Sequence, residues 1–292
     1  MSRLTSLGVA TVRQLCRAFD LSRQAYYAAL RPATPKLRIV KPETTRPCVP
    51  VAELEPQIRA IIAENPAWGV RKTWATLHRD GVRVSYKRVW ALMRAWGLTL
   101  PPVAGREGPA LRGQVVVPDS NRRWATDLTT VWTRRDATVA VVPVIDCGDR
   151  VVFECEVTKS QESPAVLRSV ENALDTVFGK PMNVPAGVEL RSDHGPQYTG
   201  DDCATMCTMW HVEHTFAPIG RPTGNAVAER FIETLKVELI WTRDWDSAEE
   251  LRAAIATWLH RYNHRRPHQA LGWMTPAEKR ASNLGRQQEA AA

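Results

Sequence analysis

Three acidic residues fall where a carboxylate is costly unless it has a task. Asp127 sits in the middle of an alternating run, WATDLTTVW (124–132), that reads as a strand. Asp193 follows a short predicted strand, 188–192, and leads into a turn at His194-Gly195. Glu229 lies on a helix expected to begin near Gly224-Asn225, with 35 residues between it and Asp193. A carboxylate inside a strand is unfavourable unless it is paired, hydrogen-bonded or bound to a cation. Acids that converge repel one another, and a divalent metal removes the repulsion. Mg²⁺ takes a few carboxylates, waters and phosphate oxygens, so this chemistry points to a phosphodiester substrate.

Other reactive residue types weigh less. Cys203, Cys207, His211 and His214 follow C-x3-C-x3-H-x2-H spacing, but a predicted strand over 212–216 divides them. They read as a packed helix face rather than a zinc site. His260, His264 and His268 recur every four residues, yet Pro267 should end the helix before the last, leaving a polar surface. His194 reads as a turn residue beside the acids rather than a general base. Tyr198 and Lys159 fit either a groove lining or ordinary loop and cap roles. The tryptophans, Trp68, Trp74, Trp90 and Trp96 among them, read mostly as core, with one or two able to stack on bases.

The elements that must position the acids follow from periodicity. Strands are expected over 124–132, 138–146, 150–157, 188–192 and 212–216, and helices over 162–178, 201–210, about 225–240 and 247–263. The order is βββαβαβα, a mixed α/β sheet whose first three strands form a meander and whose later strands cross over through helices. Upstream, VATVRQLCRAFDLSRQAYYAAL gives two short helices, with Ser22 as N-cap and a core of Val12, Leu15, Cys16, Ala25, Tyr26 and Ala29. Residues 53–98 give three more helices, with Leu54 and Ile58 on one, Val70, Trp74 and Leu77 on the next, and Val89, Leu92 and Met93 on the last. Gly81 stops the second and Ser85 caps the third. That pattern is a helix-turn-helix, with Arg71, Lys72, Arg83, Lys87 and Arg88 as candidate phosphate or base contacts. Pro-rich stretches at 31–52 and 99–120 read as linkers, and 281–292 as a tail. The segments are therefore 1–30, 53–98 and 121–280.

Charge divides along the same line. Residues 1–123 carry 21 basic and 8 acidic side chains, whereas 124–292 carry 18 and 23, and the chain nets +8. A basic half beside an acidic half fits a polyanion-binding module joined to one that concentrates carboxylates. Six scattered cysteines without a CxxC pair fit reduced thiols in a cytoplasmic protein. No apolar run reaches the ~18 residues of a membrane span, and no signal peptide is expected at the N-terminus.

Several longer motifs stand in fixed order: WGVRKTWATLHRDGVRVSYKRVWALMRAWGL (68–98), WATDLT (124–129), SDHGPQY (192–198), GNAVAERF (224–231), YNHRRPHQAL (262–271) and TPAE (275–278). Lys236 falls seven residues after Glu229, on the same helical face. Over almost its whole length the chain resembles the transposases of the IS3 family of bacterial insertion sequences, and LCRAFDLSRQAYY (15–27) is similar to the start of their second reading frame. The resemblance implies an RNase H-like, retroviral integrase-type α/β catalytic domain preceded by small all-α helix-turn-helix modules. It makes Asp127, Asp193 and Glu229 the catalytic metal ligands and Lys236 a contact to the element's end DNA. It also implies two Mg²⁺ ions per site, with Mn²⁺ able to substitute, 3′-end cleavage and then strand transfer. The implied partners are end and target DNA, further copies of the chain on DNA, and the upstream-frame protein or a fusion with it, in the bacterial nucleoid. One departure is RPTGN (221–225), where many relatives carry an Asp-Asn pair. The alternatives are a DNA-binding regulator or assembly subunit with an inactive RNase H-like domain, and a plain ribonuclease of that fold. The intact triad argues against the first, and the basic N-terminal modules against the second.

Overall fold

A computed structural model describes residues 8, 10–30, 49–101, 116–218 and 224–291. Most of both expected linkers and the departure at 221–223 lie outside these residues.

The chain divides into two units at Pro47/Cys48. In the first, α1 (Val12–Ala18) is closed by a reciprocal cap between Thr11 and Gln14, and α2 (Arg23–Leu30) by Ser22 Oγ accepting from Ala25 N. Its core is smaller than expected. Leu15, Cys16 and Tyr26 are buried, while Ala25 and Ala29 face solvent.

In the second unit, α3 (Val51–Glu64), α4 (Val70–Arg79) and α5 (Tyr86–Ala95) enclose Leu54, Ile58, Leu77, Val84, Val89 and Met93. Gly81, at φ +84°, reverses the chain after α4 in a backbone region that side chains disfavour. Ser85 Oγ then caps α5 by accepting from Arg88 N.

The larger part is a mixed sheet of β1 (Arg123–Thr126), β2 (Thr129–Thr133), β3 (Ala137–Asp146), β4 (Val152–Thr158), β5 (Glu189–Ser192) and β6 (Glu213–Phe216). β4 pairs antiparallel with one edge of β3, and β1 and β2 pair antiparallel with the other. β5 runs parallel to β1, and β6 parallel to β5. β3 alternates between the two faces. Val139, Val141 and Ile145 meet α9 (Ala226–Glu238) and α10 (Ala248–His264), whereas Val142 and Val144 meet α6 (Ser163–Phe178) and α8 (Asp201–Met209). A four-residue helix, α7 (Pro196–Thr199), precedes α8. This is an RNase H-like α/β domain with an all-α helix-turn-helix before it.

Two expectations need correction. The strand over 124–132 is interrupted at Asp127-Leu128, although both halves keep one register, Thr126 opposite Val144 and Thr129 opposite Val141. That register puts Asp127 opposite Pro143. Cys147 N donates to Arg123 O, which makes every second pair, Asp127 with Pro143 included, a hydrogen-bonding pair. Pro143 has no N–H to give, so the ladder opens beside the acid. The second correction is the tail, which belongs to a helix, α11 (Pro276–Ala291). Its Asn283 is buried and donates to Ser120 Oγ at 3.1 Å, and Arg280 reaches the buried Asp149 at 3.0 Å. No helix among the described residues is long and apolar enough to cross a membrane.

Candidate active site

The parallel pairing of β1 with β5 sets the geometry. Arg123 faces Glu189 and Ala125 faces Arg191, so the same step of register carries Asp127 level with Asp193. Both acids leave the sheet at the C-terminal ends of neighbouring parallel strands, where crossovers leave a crevice. Asp193 Oδ1 accepts from Gly195 N at 3.0 Å, which shapes its turn. Asp127 Oδ1 accepts from Leu128 N at 2.8 Å, using a backbone donor inside the gap in the ladder.

Glu229 arrives on the first turn of α9 and is exposed. Asn225, buried at the start of that helix, does not cap it. Its Nδ2 donates instead to Thr126 O at 2.9 Å, tying the start of α9 to the residue before Asp127. Gly224 makes the approach feasible, because a Cβ there would stand 2.8 Å from both Ala217 and Pro218 side-chain atoms. Tyr198 adds a second tie. It is buried, so a groove-lining role is ruled out, and its hydroxyl lies 3.2 Å from Thr126 Oγ1. Asn225 and Thr126 were not predicted as positioning residues, because an Asn at a helix start reads as a cap for its own helix.

Burial and the neighbouring acids act on Asp127 together. Burial pushes the Asp127 carboxyl up to about 6; the bond from Leu128 N opposes this, Asp193 and Glu229 raise it further, and Lys236 lowers it. Burial also raises Glu229. Lys236, in the last turn of the same helix as Glu229, is near enough to act on Asp127. Excess negative charge around a half-buried oxygen set is the environment a hard divalent cation relieves, so the donors fit Mg²⁺.

The other expected residues are less uniform. Arg71, Arg83 and Lys87 are exposed, and Arg88 is half-buried. Lys72 is not a solvent-facing cation. Its ammonium lies 2.7 Å from Glu238, which Arg266 also grips at 2.9 Å, and burial lowers the Lys72 value. It was expected among the phosphate or base contacts, but it packs against the end of α9 instead. His194 is exposed and stacks on Phe216, with ring centroids 4.8 Å apart. Lys159 pairs with Asp136 at 2.6 Å. His260 and His264 are exposed, but His268 is tucked away, held neutral by burial and Arg266. Trp90 is exposed rather than core. Cys203 and Cys207 pack on the inner face of α8 as expected, and His214 of β6 comes close to both, while His211 stays exposed in the turn before β6.

A cleft of about 1180 Å³ opens between the helix-turn-helix and the sheet, with Arg71, Arg123, Arg150, Arg191, Arg230 and Trp90 on its walls. The three acids are not among its lining residues, but Asn225 is, so the cleft borders the site rather than containing it.

Two acids at the C-terminal ends of neighbouring parallel strands, with a third on the first turn of α9, make up the candidate site of this sheet. Among family models, an integrase core domain matches residues 118–222 and again 211–276, and an HTH-like domain matches 51–104. The chain is 29% identical over 231 residues to the Escherichia coli transposase InsD of insertion element IS2A/D/F/H/I/K, covering 76% of each. The InsD protein of IS2-9 from strain K12 matches at the same identity, over 75% of its length. Among solved structures, the HTLV-2 integrase catalytic core with magnesium superposes with a TM-score of 0.42 at 16% identity, covering 57% of this chain and 99% of that one. The BIV integrase core gives 0.44 at 20% identity, with the same coverage.

Proposed function

We propose that this chain is a DNA transposase that cleaves the 3′ ends of an insertion sequence and joins them to target DNA, with Asp127, Asp193 and Glu229 as its catalytic acids. The observation that carries this reading is the shared register of Asp127 and Asp193, with Glu229 brought to them by the Asn225 tie. Two bound Mg²⁺ ions, or Mn²⁺ in their place, would supply an activated water and then an activated 3′-OH, and would balance charge on the entering and leaving oxygens.

The protein's part is positioning. Asp127 and Asp193 present oxygens from rigid strand ends, and Glu229 closes the set from the first turn of α9. No side chain has to act as nucleophile. Lys236, at the margin of the acids, would hold a phosphate of the end DNA as a point charge. The cations of the bordering cleft and the exposed Arg83 and Lys87 of the helix-turn-helix would grip the backbone away from the reacting bond. The chain would act as an oligomer that pairs two ends.

The test is 3′ processing and strand transfer of end DNA by Asp127→Asn, Asp193→Asn and Glu229→Gln. Each variant is expected to bind the DNA and lose both reactions. A variant that cleaves and joins at wild-type rate would overturn the assignment of that residue.

A further inference from the structure

We infer that Cys203, Cys207 and His214 form a second metal site, suited to a thiophilic cation of the zinc class. The cysteines lie four apart on α8 and face β6, where His214 projects towards them. Their two sulfurs and an imidazole nitrogen all lie within 4.8 Å of one another, the sole group of three such residues among the described residues to do so. Cys203 Sγ is 3.7 Å from His214 Nδ1. With zinc–sulfur and zinc–nitrogen bonds of about 2.3 and 2.0–2.1 Å, neighbouring ligands on a tetrahedron stand roughly 3.6 Å apart, so the pair is already at ligand spacing.

The hydrogen-bond chain behind His214 selects the ligating atom. Ser192 Oγ has one proton and gives it to Asp193 O at 2.9 Å. It can therefore only accept from His214 Nε2, also at 2.9 Å. The proton resides on Nε2, and Nδ1 keeps a lone pair directed at the sulfurs. An outer hydrogen bond that fixes the tautomer and orients the ring is what metal-bound histidines use.

The sulfurs differ from the other buried thiols. Burial pushes Cys147 up to about 12, as expected of an inert core thiol. Cys203 is instead pulled down, chiefly by the hydrogen bond from Cys207, while Cys207 is pushed up. A cation would displace thiol protons from the two sulfurs, the usual exchange on metal binding. Both sulfurs are buried and His214 is half-buried, which leaves the fourth corner to water. Through Ser192 the site touches the carbonyl of Asp193, so occupancy would brace the turn that carries this acid. That consequence rests on the proposed role of Asp193; cation binding does not.

The test is titration of the full, chelator-treated chain with Co²⁺. One equivalent should produce a thiolate-to-cobalt charge-transfer band in the near ultraviolet, bleached by Zn²⁺. Cys203→Ser and Cys207→Ser should each abolish the band, whereas His211→Ala and Asp127→Asn should keep it, separating this site from the carboxylates. A wild-type spectrum with no charge-transfer band overturns the proposal without recourse to any variant. A band that survives in the double cysteine variant overturns it equally.

Discussion

Burial and two neighbouring carboxylates hold the Asp127 carboxyl near 6, against an ordinary 3.8. Between those values the folded chain binds the proton that the unfolded chain has lost, so stability falls as pH rises through that window. Asp127→Asn removes the penalty. It is expected to stabilise the metal-free chain at about pH 8 by up to about 3 kcal/mol, and to leave it unchanged below about pH 4. Urea melts at the two pH values check this, and an equal difference at both would remove the cause assigned here. For the same reason protons compete with the cation, and divalent-metal affinity should rise with pH through about 6. Asn225→Ala strips the partner from a buried carbonyl and releases α9 from β1. The expected result is a loss of about 1–3 kcal/mol in stability and a fall in cleavage rate with DNA affinity retained. Unchanged cleavage would show that the Asn225–Thr126 bond does not position Glu229.

At the scale of elements, two ion-pair clusters join the helix-turn-helix to the ends of α9 and α11, and they should differ in worth. Glu238 sits between Lys72 and Arg266 with its side chain 8% exposed, whereas Arg79 grips Glu278 with both partners open to solvent. Glu238→Gln leaves two cations facing each other out of water and is expected to cost about 3 kcal/mol. Arg79→Ala should cost under about 1 kcal/mol. Thermal melts of the two variants compare them directly, and equal losses would contradict the burial argument. The Glu238 carboxyl is held low chiefly by Arg266, against burial, so its contribution is present above about 4.5 and is lost as pH falls through its depressed value. Most of these elements were legible in the sequence, because period two and period 3.6 separate the strands from the helices cleanly. The break at Asp127 was not, since it depends on Pro143 lying opposite, which only pairing reveals. The helical character of 281–291 was hidden because Arg280 and Asn283 find partners at Ser120 and Asp149, far away in the chain. The convergence of Cys203, Cys207 and His214 was hidden by the turn at His211, whose positive φ of 55° folds β6 back beside α8.

Across the whole molecule, the charge asymmetry becomes a spatial arrangement. The cleft lined by Arg71, Arg123, Arg150, Arg191 and Arg230 also includes Asn225, which ties α9 to the residue before Asp127. Lys87→Ala and Arg83→Ala should each weaken binding to any DNA sequence and reduce the salt dependence by about one unit of slope. Lys72→Met should leave the slope unchanged, because that ammonium is occupied by Glu238; a lowered slope would return Lys72 to the set of DNA contacts.

The central claim is that Asp127, Asp193 and Glu229 hold the metals that cut DNA. Anomalous diffraction from crystals of the full chain with end DNA and Mn²⁺ addresses it most directly. Peaks between Asp127 and Asp193 and beside Glu229, at the scissile phosphate, are the expected result. Mn²⁺ bound elsewhere, with the three carboxylates empty in crystals that still cleave the DNA, would contradict it.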